Sequence, residues 1–160
     1  MVNLNALSAE EAEKELLTCC ASRAFAREVV AGRPYAGLAE LTSAAEAAVR
    51  ALAWPDVEEA LAAHPRIGER PAGSARESEW SRQEQSGVAD GDDRVRTELA
   101  EGNRAYERRF GHVYLICATG LSGEEMLARL KERLDNDEDT ERAVVRDELA
   151  KITKLRLARI

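Results

Sequence analysis

Four side chains in one stretch of this chain have the types and spacing for acid–base chemistry on a polar substrate: His64, and then Ser81, Glu84 and Gln85. Placed at i, i+3 and i+4 of a helix, the last three put a hydroxyl, a carboxylate and an amide on one face, with Trp80 and Gln83 on its flanks. An imidazole and a carboxylate form a working pair because their surroundings can bring both near operating pH. The hydroxyl and amide add directional donors and acceptors. A single histidine before a proline is ordinarily no more than a capped helix end. The reading of His64 as a reactive group therefore rests on the polar face that would oppose it.

Those residues need elements to hold them. Trp54-Pro55-Asp56 opens a short helix in which Val57 and Leu61 lie one turn apart, with proline suited to a first helical position. Pro65 ends that run, because the residue before a proline is pushed out of the α region, and this predicts His64 at a helix C-terminus. A second helix is predicted over Glu77 to Ser86, closed by Gly87 as a left-handed cap. Between them, Arg66-Ile67-Gly68 and Arg70-Pro71-Ala72-Gly73 form a connector that can turn the second helix back toward His64.

The 160 residues fit one domain, 1–160, with enough chain for a real core. Apolar residues are 44%, charged 33% and aromatic only 4%, a balance that favours helices over sheet. A formal charge of -7 argues against a nucleic-acid partner, since no basic tract stands out. No run of about 18 apolar residues is present to span a membrane. The start of the chain has neither the basic opening nor the apolar run of a secretory signal. Cys19, Cys20 and Cys117 suit neither a disulfide framework nor a zinc site, and are expected to be reduced, mostly buried thiols of a cytoplasmic protein.

The rest of the chain punctuates into helices. Ser8 with Glu11 makes a capping box, and Leu16, Cys20 and Ala24 then recur at four-residue spacing, predicting one helix as far as Gly32-Arg33-Pro34. An alanine-rich helix comes next over about 38–53. Asp90-Gly91-Asp92-Asp93 places acids at the start of a helix whose face carries Val95, Leu99, Asn103, Tyr106 and Phe110. Asn103 is expected to be a satisfied structural hydrogen-bonder, because a buried amide without partners is costly. Arg82, Arg108 and Arg109 read as solvated charges, and His112 as structural or exposed. The run 113–118 lacks a second strand to pair with and reads as a buried extended segment or short helix whose amides are available to a ligand. Ser122 and Glu125 cap a helix carrying Met126, Leu127, Leu130 and Leu134. Residues 135–139 read as a solvated acidic turn without the spacing of a calcium loop. On the last helix Arg156 continues the apolar stripe of Val145, Leu149 and Ile152, and so needs an anionic or carbonyl partner or must snorkel.

His64-Pro65-Arg66-Ile67-Gly68, Trp80-Ser81-Arg82-Gln83-Glu84-Gln85-Ser86-Gly87, Asn103-Arg104-Ala105-Tyr106-Glu107-Arg108-Arg109-Phe110-Gly111 and Lys151-Ile152-Thr153-Lys154-Leu155-Arg156-Leu157 together resemble the successive motifs of the OHCU decarboxylase family. These enzymes convert 2-oxo-4-hydroxy-4-carboxy-5-ureidoimidazoline (OHCU) into (S)-allantoin in urate degradation. The resemblance covers nearly the whole chain, with Phe25 standing where many members carry tryptophan. It implies an all-α, single-domain bundle of about seven to eight helices with one buried extended segment, commonly a homodimer, using no metal and no organic cofactor. It also implies that His64 and Glu84 are the catalytic pair and that Pro65, Ser81, Gln85, Ile116 and Arg156 bind the substrate. The chemistry of that substrate assigns His64 to its hydroxyl and carboxylate side and Glu84 to proton handling, two roles that are exchangeable. The functional reading of the chain is thus a carboxy-lyase, against the alternative of a catalytically silent helical interaction module on the same scaffold.

Overall fold

The computed structural model describes residues 3–67, 76–89 and 93–160. In chain order its helices are α1 (Ala9–Cys19), α2 (Arg23–Ala31), α3 (Leu38–Arg50), α4 (Trp54–Leu61), α5 (Arg76–Glu84), α6 (Ser86–Ala89), α7 (Asp93–Phe110), α8 (Gly123–Arg133) and α9 (Glu138–Leu157), after a 3-10 turn at Leu4–Ala6. No strand occurs among the described residues, so the fold is all-α as the composition predicts. The chain divides into two compact units, Met1–Ala63 with Arg146–Ile160, and His64–Val145.

The first unit starts from a capping box. Ser8 Oγ accepts from the Glu11 amide at 3.1 Å, and Glu11 Oε2 from the Ser8 amide at 3.3 Å, which satisfies two N–H groups left over at the start of α1. The single helix predicted from here to Gly32 is in fact two. Cys20 turns extended at φ -150° and ψ 116°, and Ser22 restarts the chain as α2 by accepting from the Phe25 amide at 3.2 Å. A buried serine side chain thus takes over an amide as the cap of a new helix. Farther on, α3 buries Leu41, Ala45, Ala48 and Val49. Arg146 on α9 then donates to the Leu52 carbonyl, with its guanidinium carbon 5.5 Å from the Trp54 ring at the start of α4. Leu16, Leu61 and Leu149 are fully buried in this unit, each contributing about 1.5–3 kcal/mol of transfer free energy.

In the second unit α7 and α8 supply the core. Val95, Leu99 and Tyr106 from α7 pack with Met126, Leu127 and Leu130 from α8 and with Tyr114, Ile116 and Ala118. The two helices approach closely at Gly102, where a Cβ would lie 2.5 Å from a Leu130 methyl carbon. Residues 113–118 are neither helix nor strand and keep Tyr114, Leu115, Ile116 and Ala118 buried, the extended segment expected from the sequence. Gly111 and Gly120 flank it with φ of 81° and 80°, a left-handed geometry that a Cβ would strain. The acidic turn before α9 is partly a cap, since Asp137 Oδ1 accepts from the Thr140 amide at 2.7 Å. That backbone bond holds the exposed Asp137 carboxyl below its usual range.

Candidate active site

The segment after α4 places His64. The helix ends at Leu61, where the Ala62 amide reaches Glu58 O at 3.1 Å and the Ala63 amide reaches Ala60 O at 3.2 Å in a tightened last turn. His64 therefore stands in a bend just past the helix, not on its last residue, and is half-buried. Pro65 beside it is half-buried too, and Ile67 is buried. The helix α7 fastens Arg66 and Ile67, just beyond the bend. Asn103 Nδ2 donates to the Ile67 carbonyl at 2.7 Å, and one turn along, Glu107 receives the Arg66 Nε at 3.0 and 3.1 Å. The connector over residues 68–73 lies outside the described residues, and so does Asp90-Gly91-Asp92.

At the C-terminal end of α5 three residues turn inward: Trp80, Ser81 and Glu84 are 8%, 6% and 9% exposed, and Gln85 is half-buried. The polar face read from the spacing is thus a buried one. Gln85 is still held by its amide to Ser81 O at 3.1 Å, although α5 ends at Glu84. Gly87 is not the left-handed cap predicted for it. It lies inside α6, where an added Cβ would fall 2.0 Å from the Leu121 carbonyl oxygen, so a close backbone approach and not a turn demands glycine here. The end of the α5–α6 segment is thereby pressed against the loop that leads into α8.

Ile116 is buried in the extended segment of the same unit. Arg133 and Glu141, which the sequence reading passed over, form a buried ion pair behind that segment. Both had a signal. Arg133 falls three residues after Leu130, and Glu141 four before Val145, so each sits on an apolar stripe in the way that singled out Arg156. Glu141 outweighs the burial that opposes the Arg133 charge and holds the guanidinium above its usual value. Burial first, then the hydrogen bond to Glu141, pushes the Tyr106 hydroxyl well up. His112 is half-buried. Its Nδ1 lies 3.0 Å from Val113 O, and its ring meets Tyr106 edge-on at 5.4 Å.

His64, Pro65, Ser81, Glu84, Gln85 and Ile116 all belong to the second unit, and Arg156 to the first. There Arg156 is buried on α9, three residues beyond Thr153, whose hydroxyl donates to Leu149 O at 2.7 Å. The three cysteines are thiols and not disulfides, Cys19 and Cys20 buried and Cys117 half-buried. Burial pushes the Cys20 thiol up to about 12 against the hydrogen bond it shares with Thr153, which leaves it unreactive at neutral pH.

The second unit is thus an all-α frame that buries a serine and a glutamate one turn apart and also holds the histidine bend and the buried segment that carries Ile116. Residues 5–158 match the OHCU decarboxylase family, and the chain belongs to it. It is 32% identical over 158 residues to the uric acid degradation bifunctional protein TTL of Arabidopsis thaliana, covering 96% of this chain and 48% of that protein, so it spans about half of that relative's length. It is also 32% identical over 136 residues to the 2-oxo-4-hydroxy-4-carboxy-5-ureidoimidazoline decarboxylase of Amia calva, covering 82% of this chain and 77% of that one. Among solved structures it is similar to an OHCU decarboxylase crystallised in the presence of (S)-allantoin, at a TM-score of 0.78 and 32% identity over 91% of this chain and 95% of that chain.

Proposed function

We propose that residues 1–160 act as one domain that decarboxylates OHCU to (S)-allantoin without metal or organic cofactor. The observation that carries this is the burial of Ser81 and Glu84 one helical turn apart at the end of α5, in a chain that matches the family over residues 5–158. The substrate holds its carboxylate and hydroxyl on a carbon next to a C=N bond. When carbon dioxide leaves, the electrons of the broken C–C bond pass into the ring, where that C=N accepts them and its nitrogen takes up a proton from solvent, so no added electron sink is required. The resulting enol-like species gives up its hydroxyl proton and gains one proton at the ureido-bearing carbon, from one face. His64 serves the hydroxyl and carboxylate side, and Glu84 handles the incoming proton. Ser81 and Gln85, flanking Glu84, suit the donor and acceptor edges of the ureido and ring amides. Pro65 and the Ile116 main chain complete the substrate contacts, and the planar fork of Arg156 suits a carboxylate or ring carbonyl.

The test supplies freshly oxidised urate, after hydrolysis of hydroxyisourate, and follows optical activity at equal total product. With the protein present, (S)-allantoin forms faster than the spontaneous racemic product. An unchanged racemic course overturns the proposal. The same reading makes the protein a cytoplasmic homodimer with neither nucleic acid nor membrane as a partner. The net charge of -7 supports the part of this that concerns nucleic acid, and no helix among the described residues is long and apolar enough to cross a membrane. Light scattering of the purified chain checks the dimer.

A further inference from the structure

Arg133, the last residue of α8, uses its guanidinium in two directions. Its Nε and Nη2 donate to Glu141 Oε2 at 2.8 and 2.5 Å, while Nη1 donates to the Leu115 carbonyl oxygen at 2.5 Å. The two side chains are 7% and 0% exposed. Glu141 is itself held by the Tyr106 hydroxyl at Oε2 and by Asn136 Nδ2 at Oε1, 3.1 Å away. The rings of Tyr106 and Tyr114 lie 5.8 and 4.8 Å from the guanidinium carbon.

A buried ion pair is weak evidence for stability, because apolar side chains of matching volume often serve as well. What such side chains would not supply is the third arm of this one, a charged donor on a peptide oxygen. The Leu115 carbonyl and the Ile116 N–H belong to the same planar peptide and point in opposite directions. Holding the oxygen fixes the direction of the N–H. A cationic donor also draws electron density toward the oxygen and makes that N–H a stronger donor. The hydrogen bonds among the described residues include none from the Ile116 N–H, although Ile116 is buried. Buried amides without an acceptor are rare.

We infer that Arg133 is a positioning residue for turnover, which aims and polarises the Ile116 amide, through the Leu115–Ile116 peptide, at an anionic or carbonyl oxygen of the substrate. The inference rests on the reading of Ile116 as a substrate contact. Glu141 holds the guanidinium in place, Tyr106 bonds to Glu141 and not to the guanidinium, and the bond to the Leu115 oxygen links this network to the Ile116 amide.

The test combines kinetics with the amide resonance of Ile116 in isoleucine-labelled protein titrated with (S)-allantoin. Arg133→Lys keeps a cation opposite Glu141, but one ammonium cannot span both partners. Arg133→Met with Glu141→Gln removes both charges together, leaves none stranded, and keeps an acceptor for Tyr106. Tyr106→Phe is the comparison, since it loosens Glu141 while sparing the bond to Leu115. In the unsubstituted protein the Ile116 resonance moves on titration. Arg133→Lys, or the paired variant where the lysine variant does not fold, loses roughly tenfold in kcat/KM or more, as expected for a hydrogen bond from a charged group, and its Ile116 response shrinks. Tyr106→Phe melts lower yet stays within about twofold in kcat/KM. Normal kcat/KM and a normal Ile116 response in the folded Arg133 variant overturn the inference alone. An Ile116 resonance unmoved by (S)-allantoin in the unsubstituted protein overturns the reading of Ile116 as a contact, and the inference with it.

Discussion

Asn103 reaches from the middle of α7 to the carbonyl oxygen of Ile67, 2.7 Å from its Nδ2, while its Oδ1 meets no donor among the described residues. The bond secures the backbone three residues beyond His64, and the Arg66–Glu107 pair secures the residue between on the same face of α7. A structural asparagine would ordinarily satisfy both ends of its amide. Asn103 does so at one end only, which points to the Ile67 carbonyl as the reason it is there.

Replacing Asn103 with leucine separates stability from placement. Losing the Nδ2 donor leaves the Ile67 carbonyl bare, at about 1–3 kcal/mol, and losing the orphaned Oδ1 relieves a burial penalty of about the same size. The two terms oppose, so urea unfolding of Asn103→Leu is expected within about 1 kcal/mol of the parent. Turnover is expected to fall several-fold because the segment carrying His64 keeps only the Arg66–Glu107 tether. Parental kinetics in the folded variant would show that the tether does not matter for the reaction.

Gly87→Ala puts a methyl group where the Leu121 carbonyl oxygen now sits 2.0 Å from the ideal Cβ position. Backbone has to move on one side or the other, and an overpacked contact of this kind costs about 1–3 kcal/mol. At roughly 2–4 °C per kcal/mol for a chain of this size, calorimetry is expected to read a loss of about 2–12 °C in Tm. A Tm equal to that of the parent would mean that α6 does not pack against Leu121 in solution.

The Gly87 contact marks where the sequence stopped being legible. Caps are local chemistry, so the capping boxes of Ser8 with Glu11 and Ser122 with Glu125 are readable from four residues apiece and are present. The inward face of Ser81 and Glu84 is likewise a matter of helical spacing. Gly87 is fixed by a carbonyl far along the chain, and a glycine after a helical run looks the same whether it caps a helix or admits a neighbouring backbone. Cys20 shows the converse, since its four-residue spacing between Leu16 and Ala24 is helical while Ser22 quietly supplies a second start. Arg133 and Glu141 lie in heavily charged stretches, and only their register with Leu130 and Val145 separates them from the solvated charges around them.

Cys20 sets an alkaline limit on stability. Its thiol titrates from 9.0 in the open chain and is pushed up to about 12 by burial in the fold. Below pH 9 it is protonated in both states and its contribution to stability is complete. Between 9 and 12 the unfolded chain releases this proton while the folded chain keeps it, so stability falls as pH rises, by about 1.4 kcal/mol per pH unit for one group. Tyr106 and Tyr35 are also raised and steepen the loss above 10 in the same direction. Urea unfolding of Cys20→Ala between pH 9 and 11 is expected to show a slope shallower by about one proton. An unaltered slope would place the alkaline loss elsewhere.

The proposed catalytic pair, His64 and Glu84, is tested by substitutions that keep a polar group in place and remove proton transfer. His64→Asn retains a polar group in a half-buried bend, and Glu84→Gln keeps the volume of a nearly buried side chain while ending its exchange of protons. Both keep a polar, hydrogen-bonding group at the position, so Tm is expected to change little in either. Acid–base groups of this kind contribute about 10²–10⁴-fold, and kcat is expected to drop within that range. The product carries a second signal. If Glu84 handles the proton delivered to the ureido-bearing carbon, Glu84→Gln loses enantiomeric excess along with rate. His64→Asn, which disturbs the hydroxyl side, slows the reaction but leaves the remaining enzymatic product in the S form. The reverse pattern of enantiomeric excess, read by chiral chromatography at equal total product, would exchange the two roles, and large unfolding in both variants would show that His64 and Glu84 are holding the fold instead.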